Sequence, residues 1–242
     1  MRTSAQGVQR RPAPSGVIAR TVRVVSQIVM QLALSLLLSI LIEWVGLTWV
    51  WPDEGLSRGQ QMVSAERRYL GRFQSSGSRS SLNVANRVAG SFDTWLFERS
   101  GVEAGIVWLE RSRPADVSDS IRPWQQRLRP LAHYLKAARQ STELFALRLS
   151  VLALSLPVFV LCALVGLIDG LVQRDLRRWG GGRESSFVYH HAKGALGPLI
   201  AIAAMLYLTS PVSLHPVAVL VPFALAVGLS VMLAARTFKK YL

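Results

Sequence analysis

At 242 residues and 50% apolar by composition, the chain is too hydrophobic for an ordinary soluble domain, which breaks its apolar runs with charge every few residues. Its net charge of +14 raises nucleic acid as a partner. The basic residues form no compact patch interleaved with aromatics, however, so direct nucleic-acid contact is not expected. Cys162 is the single cysteine, so no intramolecular disulfide can hold the fold.

In chain order, residues 1–23 form a basic tail with Arg2, Arg10, Arg11, Arg20 and Arg23 and no acid. A first apolar stretch follows, Val24–Val45, long enough for the roughly 20 residues that cross a bilayer. Trp44, Trp49 and Trp51 mark an outer interface, because indole rings prefer the headgroup zone. Trp51-Pro52 ends the helix, and residues 24–51 are taken as the first span, an uncleaved signal anchor.

Residues 52–148 carry 15 basic and 10 acidic side chains and read as a helical domain. Met62, Val63, Tyr69, Leu70 and Phe73 share one helical face, and Ser75–Ser78 breaks that helix. Leu82, Ala85, Val88, Ala89, Phe92, Trp95 and Leu96 form a second stripe. After the polar stretch Arg111–Ser120, the residues Ile121, Trp124, Leu128, Leu131, Leu135 and Ala138 recur at alternating spacings of three and four. This is a heptad seam, expected to be buried in the domain or against a second copy. Pro130 should kink or split its helix. The same helical phase runs through Leu144 and Phe145 into the second span, residues 149–172.

The loop 173–193 is basic, and 194–235 is a hairpin of third and fourth spans turning at Thr209–Pro216. Pro198 is expected in a first helical turn. A basic tail, 236–242, closes the chain. The uncharged hairpin turn contrasts with the basic tails and the basic loop. The positive-inside rule therefore places both termini and Gln173–Lys193 in the cytoplasm, and 52–148 on the far side, since long segments translocate largely regardless of charge. The expected fold is an all-α membrane protein with four transmembrane helices and a helical periplasmic domain between the first and second.

The densest constellation is the loop. Arg174, Arg177 and Arg178 precede Trp179, then come Gly180-Gly181-Gly182, Arg183, Glu184, Ser185, Ser186 and, on a helix entering span three, His190 and His191. A stop-transfer loop needs the arginines and an interfacial tryptophan. Three glycines followed by Arg-Glu-Ser-Ser exceed that need and suit a fixed docking surface for a partner. The loop lacks the Lys-Ser/Thr pair of a Walker phosphate loop. His190 and His191 point about 100° apart on a helix, so no metal site is expected. Glu43 and Asp169 are the intramembrane carboxylates. Each falls near a span end, where pairing with a nearby cation accounts for it. A small transporter or channel using both is the alternative. No nucleophile motif or paired carboxylates stand out, so no enzyme, catalytic residue or cofactor is expected.

Asp169-Gly170-Leu171-Val172, Arg174-Asp175-Leu176-Arg177-Arg178, Gly181-Gly182-Arg183-Glu184-Ser185-Ser186 and Tyr189-His190-His191-Ala192-Lys193, set behind a basic tail, one span and an external domain, resemble the integrating conjugative element membrane proteins. That bacterial family is built around a domain of unknown function. The resemblance covers the chain from about Arg20. It implies a multi-pass inner-membrane component of a conjugative type IV secretion system, encoded with a hexameric coupling ATPase. The ATPase, or another membrane part of the apparatus, is the expected partner, beside membrane lipids and a possible second copy. The resemblance implies no catalytic residues.

Overall fold

The computed structural model describes residues 16–52, 55–74, 80–110, 122–180 and 186–238. Among them every regular element is a helix. Helix α1, Val17–Val45, continues into a π-helical turn, Gly46–Val50. Helix α2 is Gly55–Gln74. Helix α3, Ser80–Asp93, also ends in a π-helical turn, Thr94–Glu98. Helix α4 is Val102–Glu110, α5 is Arg122–Trp179, α6 is Ser186–Thr209 and α7 is Pro216–Thr237. Four of these, α1, α5, α6 and α7, are long and apolar enough to cross a membrane. Their outward faces carry large exposed aliphatic side chains such as Leu161, Val165, Ile168, Leu225 and Leu229, which water would penalise and lipid would not.

Helix α5 is the mast of the molecule. Its 58 residues extend about 87 Å at 1.5 Å per residue, far beyond one bilayer crossing. Both Pro130 and Pro157 lie inside it, so Pro130 does not split the helix as its missing N–H suggested. Pro198 likewise sits inside α6, because that helix begins at Ser186, a full three turns earlier. The apolar half of α5 packs on α7 and α6. Its polar half carries α2, α3 and α4. One core joins the two halves: Met62 and Leu70 of α2 and Ala89 of α3 meet Leu144, Leu147 and Val151 of α5, which continue to Tyr207 of α6 and Leu220 and Ala224 of α7.

Ion pairs fix the register of the polar half. Arg139 forks onto Asp93 of α3 at 2.7 and 2.6 Å and reaches Glu103 of α4 at 3.4 Å. Lys136 meets Glu110 of α4, and Glu143 meets Arg67 of α2, each at 2.5 Å. These side chains are partly exposed, so each pair contributes at most about 1 kcal/mol. Their spacing along α5, at 136, 139 and 143, is nevertheless that of one helical face.

The heptad seam is buried only at its C-terminal end. Leu128 is 42% and Leu131 45% exposed, whereas Leu135 is half-buried and Ala138 is buried with Ala132 and Ala137. Of these ion pairs, the one nearest the start of α5 is at Lys136, and Leu128 and Leu131 lie about one to two turns beyond it. Ile121 lies outside the described residues, as does the side chain of Trp124. The tryptophan trio also divides. Trp44 donates to the Tyr134 carbonyl at 3.0 Å, and Trp51 packs beneath Arg58 at 3.6 Å. Trp49 is exposed. Gly46 is required here, since a Cβ on it would lie 2.0 Å from the Trp51 ring.

Helix α1 packs from Gln31 onward, where its amide donates to the Ala201 carbonyl of α6 at 2.8 Å. Residues 18–30 are exposed on every face. Helices α5 and α7 approach backbone to backbone through Gly166, Gly170 and Gly228. A Cβ on Gly166 would stand 2.1 Å from the Gly228 carbonyl oxygen, and one on Gly170 would stand 2.5 Å from that of Met232. A main-chain neighbour cannot rotate away, so alanine must push the helices apart. Gly166→Ala should therefore cost about 1–3 kcal/mol, as overpacking does, and lower the melting temperature in detergent. Gly197, with open space around it, should accept alanine with no loss. Equal melting temperatures for the two variants would mean that α5 and α7 are not in backbone contact.

Candidate functional site

Two ends of the bundle carry polar chemistry. The first gathers the residues singled out in the sequence. The C-terminal turn of α5, the start of α6 and the end of α7 meet there. Arg177 donates to the carbonyl of Arg236, taking up one of the carbonyls that the end of α7 leaves unpaired. Tyr189 packs its ring 5.8 Å from Phe238, with Lys193 5.9 Å from its face. The loop and the C-terminal segment, remote in sequence, thus form one basic end with Arg174, Arg177, Lys193 and Arg236.

Within that end the individual side chains differ. Arg174 is half-buried and reaches Asp175 only at 3.4 Å. Trp179 is almost fully exposed at the last residue of α5. The backbone of Arg178 is helical, but its side chain is not among those described. Gly181, Arg183, Glu184 and Ser185 also lie outside the described residues. His190 is exposed with its ring 5.5 Å from Tyr189. His191 turns to the Phe187 carbonyl at 2.9 Å. The neighbouring imidazoles are therefore engaged separately. Asp169 is exposed and accepts from Gln173 at 2.8 Å. Arg174, the nearest cation in sequence, turns to Asp175 instead.

The second polar end was not singled out in the sequence, and it is the more tightly built. Arg148 of α5 and Glu66 of α2 are 1% and 0% exposed. Arg148 Nε donates to Glu66 Oε1 at 3.0 Å. Its two terminal nitrogens donate to the carbonyls of Ser210 and Val212, at 2.5 and 2.8 Å. The Tyr207 hydroxyl donates to the other Glu66 oxygen at 3.2 Å. Arg58 of α2 takes the intervening carbonyl, Pro211, at 3.0 Å. Two arginines thus hold three successive carbonyls of the α6–α7 turn. The turn has no charge of its own, and its geometry is set from outside. Tyr69 adds a ring contact to His215 at 5.0 Å, and His215 caps α7 through its Nδ1.

A signal for this clamp was present. Glu66 falls in the helical phase of Met62, Val63, Tyr69 and Leu70, and Arg148 falls in the phase of Leu144 and Val151. A charge on the apolar side of a helix must be paired to be tolerated, and here each is the other's partner. Glu43 lies beside the clamp, near the turn, whereas Asp169 lies toward the basic end. Gln140, next to Glu43, is 29 residues from Asp169, about 44 Å along the helix. The two carboxylates do not share a site, and nothing in their placement supports a common ion path.

Residues 50–239 match the family described as "IncC plasmid conjugative DNA transfer protein DtrJ-like". The match spans more than three quarters of the chain and takes in α2 to α7 with both polar ends. No curated protein and no solved structure matches.

Removing one member of a buried pair strands the other without solvent or counter-charge, a loss of about 3–5 kcal/mol. Glu66→Ala and Arg148→Ala should each lower the melting temperature sharply and expose the α6–α7 turn to protease. Glu66→Leu combined with Arg148→Met should recover part of the loss, because it leaves no orphaned charge. A double variant that is additive, with two full losses, would show that the residues do not act as a pair.

Proposed function

Because the chain belongs to the DtrJ-like family of conjugative DNA transfer proteins, we propose that it is a non-enzymatic inner-membrane component of a conjugative type IV secretion apparatus. In this reading it assembles with the coupling ATPase through the basic end of the bundle. The family match carries the conjugative role. The narrower attribution to an integrating conjugative element rests on the sequence resemblance over Asp169–Lys193, and the ATPase is the partner implied there.

Dimensions support the membrane reading. Helix α7 has 22 residues, about 33 Å, against a hydrocarbon core of about 30 Å. Its ends coincide with the two polar ends, the clamped turn and the Arg177–Arg236 bond. The register of α1 then follows. Gln31 pairs with Ala201, eight residues short of the end of α6, so α1 reaches the level of Thr209 near Ser39. In this reading the part of α1 that lies beside α6 ends near Ser39. Glu43 and Trp44 rise beyond it into the layer with α2, which further weakens the channel reading.

The basic end takes the cytoplasmic side by the positive-inside rule, and α2–α4 with the polar half of α5 stand in the periplasm. Arg174, Arg178, Trp179, Arg183, Glu184 and His190, around Gly181 and Ser185, form the docking element. Arg177 is occupied with α7 and serves to hold that element in place. Lipid headgroups meet the same arginines, and a second copy can lie against the leucine stripe of α5.

If the loop docks a partner, Arg178→Lys, Gly181→Ala and Glu184→Gln should each reduce DNA transfer by about tenfold, the equivalent of one lost contact of about 1.4 kcal/mol. Lysine cannot copy the planar, bidentate contacts of arginine. Expression and insertion should remain normal, and the coupling ATPase should be depleted from mild-detergent pull-downs. Wild-type transfer and unchanged partners in all three would leave the loop as a topology signal. Sidedness is checked independently by cysteine labelling on a Cys162→Ser background. External labelling at residue 178 in intact spheroplasts would reverse the orientation.

A further inference from the structure

Glu43 is a second buried acid, and unlike Glu66 it has no arginine fork. It is 7% exposed, and among the described residues no hydrogen bond is donated to its carboxylate. It lies instead on the wall of a small, partly open pocket of ≈10 Å³. The polar side chains lining that cavity beside it are Ser39 of α1, Gln140 and Ser141 of α5, and Thr209 and Ser210 at the turn. The last two are occupied: Thr209 Oγ1 donates to the Met205 carbonyl and Ser210 Oγ to that of Val212. Ser39, Gln140 and Ser141 remain to share the lining with Glu43.

We propose that this cavity is a binding site for one water molecule, held by the Glu43 carboxylate, the Gln140 amide and the hydroxyls of Ser39 and Ser141. Size is the first ground. A buried water needs about 10–15 Å³ on this measure and two to four polar partners, and the cavity meets both conditions. The second ground is the seat of Gln140. Its Oε1 rests against Gly59 of α2, where an added Cβ would lie 2.5 Å away. The glycine therefore makes room for the amide at the cavity wall. The water so held bridges α1 and α5 at the level of the clamped turn, where no direct bond from Glu43 does so.

The test is a high-resolution structure of the full chain in a lipid nanodisc, with thermal unfolding in matched salts. One isolated density peak within hydrogen-bonding distance of Glu43, Gln140 and Ser141 is expected. The melting temperature should not change when sodium chloride is replaced by potassium or choline chloride at constant ionic strength. Glu43→Gln should keep the peak, since an amide also hydrogen-bonds water. Gln140→Leu should lose the peak and lower the melting temperature by about 2–4 °C. A sodium-specific rise in melting temperature would replace the water by a cation. An empty cavity in the wild-type structure, or Glu43 bonded directly to a protein group, would overturn the proposal even if no variant folds.

Discussion

The buried Arg148–Glu66 pair is the constraint on which the arrangement of both halves depends. Taking two charges out of water costs several kcal/mol per ion, and their attraction repays this only when every remaining donor and acceptor is met. Here they are met by elements that would otherwise be independent. Glu66 comes from α2, Arg148 from the mast, and the acceptors from the turn and Tyr207 of α6. An apolar contact at this point would tolerate sliding by a residue. A guanidinium committed to one carboxylate and two carbonyls does not. The pair therefore sets the rotation of α2, the depth of the α6–α7 hairpin and their common register on α5.

The other contacts are distributed around that point according to what each region can supply. In the apolar half, no side-chain charge is available to hold α5 against α7. Glycines at 166, 170 and 228 bring the backbones together, so that dispersion acts over a long, close seam. In the polar half, the exposed ion pairs of Lys136, Arg139 and Glu143 contribute little energy singly, yet they select the face of α5 on which α2–α4 sit. Leu128 and Leu131, both exposed, lie beyond the first of these pairs, toward the start of α5.

Much of this was legible in the sequence. The four apolar helices, the helical character of the segment between the first two, and the hairpin turn all follow from hydrophobic period and turn residues. The continuity of α5 through Leu144 was legible in the helical phase. Its passage through Pro130 was not, because local proline chemistry argues for a break and only packing on the neighbouring helices answers it. Whether the seam packs in the domain or against a second copy was open for a related reason. Period shows that an apolar face exists, but not whether another element of the same chain covers it. The clamp was overlooked because Glu66 and Arg148 are 82 residues apart. Each is visible as a charge in an apolar phase, but nothing local names its partner. At the basic end, the arginines of the loop stand out in the sequence, whereas the bond between Arg177 and Arg236 required the fold.

The two polar ends use the same device for different purposes. At the clamp, Arg58 and Arg148 hold carbonyls of a turn that has no charge of its own. At the basic end, Arg177 holds a carbonyl where α7 finishes. Arginine suits both places because its planar fork can meet several acceptors without being neutralised. With both ends of α7 tied to α5 or α2, and glycine contacts between them, α5, α6 and α7 form a fixed frame. What the frame leaves unengaged is then informative. Residues 18–30 of α1, exposed on every face, and Trp179, exposed at the tip of the mast, lie toward the same basic end. In the proposed assembly, the surface offered to a partner would be backed by the frame that the clamp fixes.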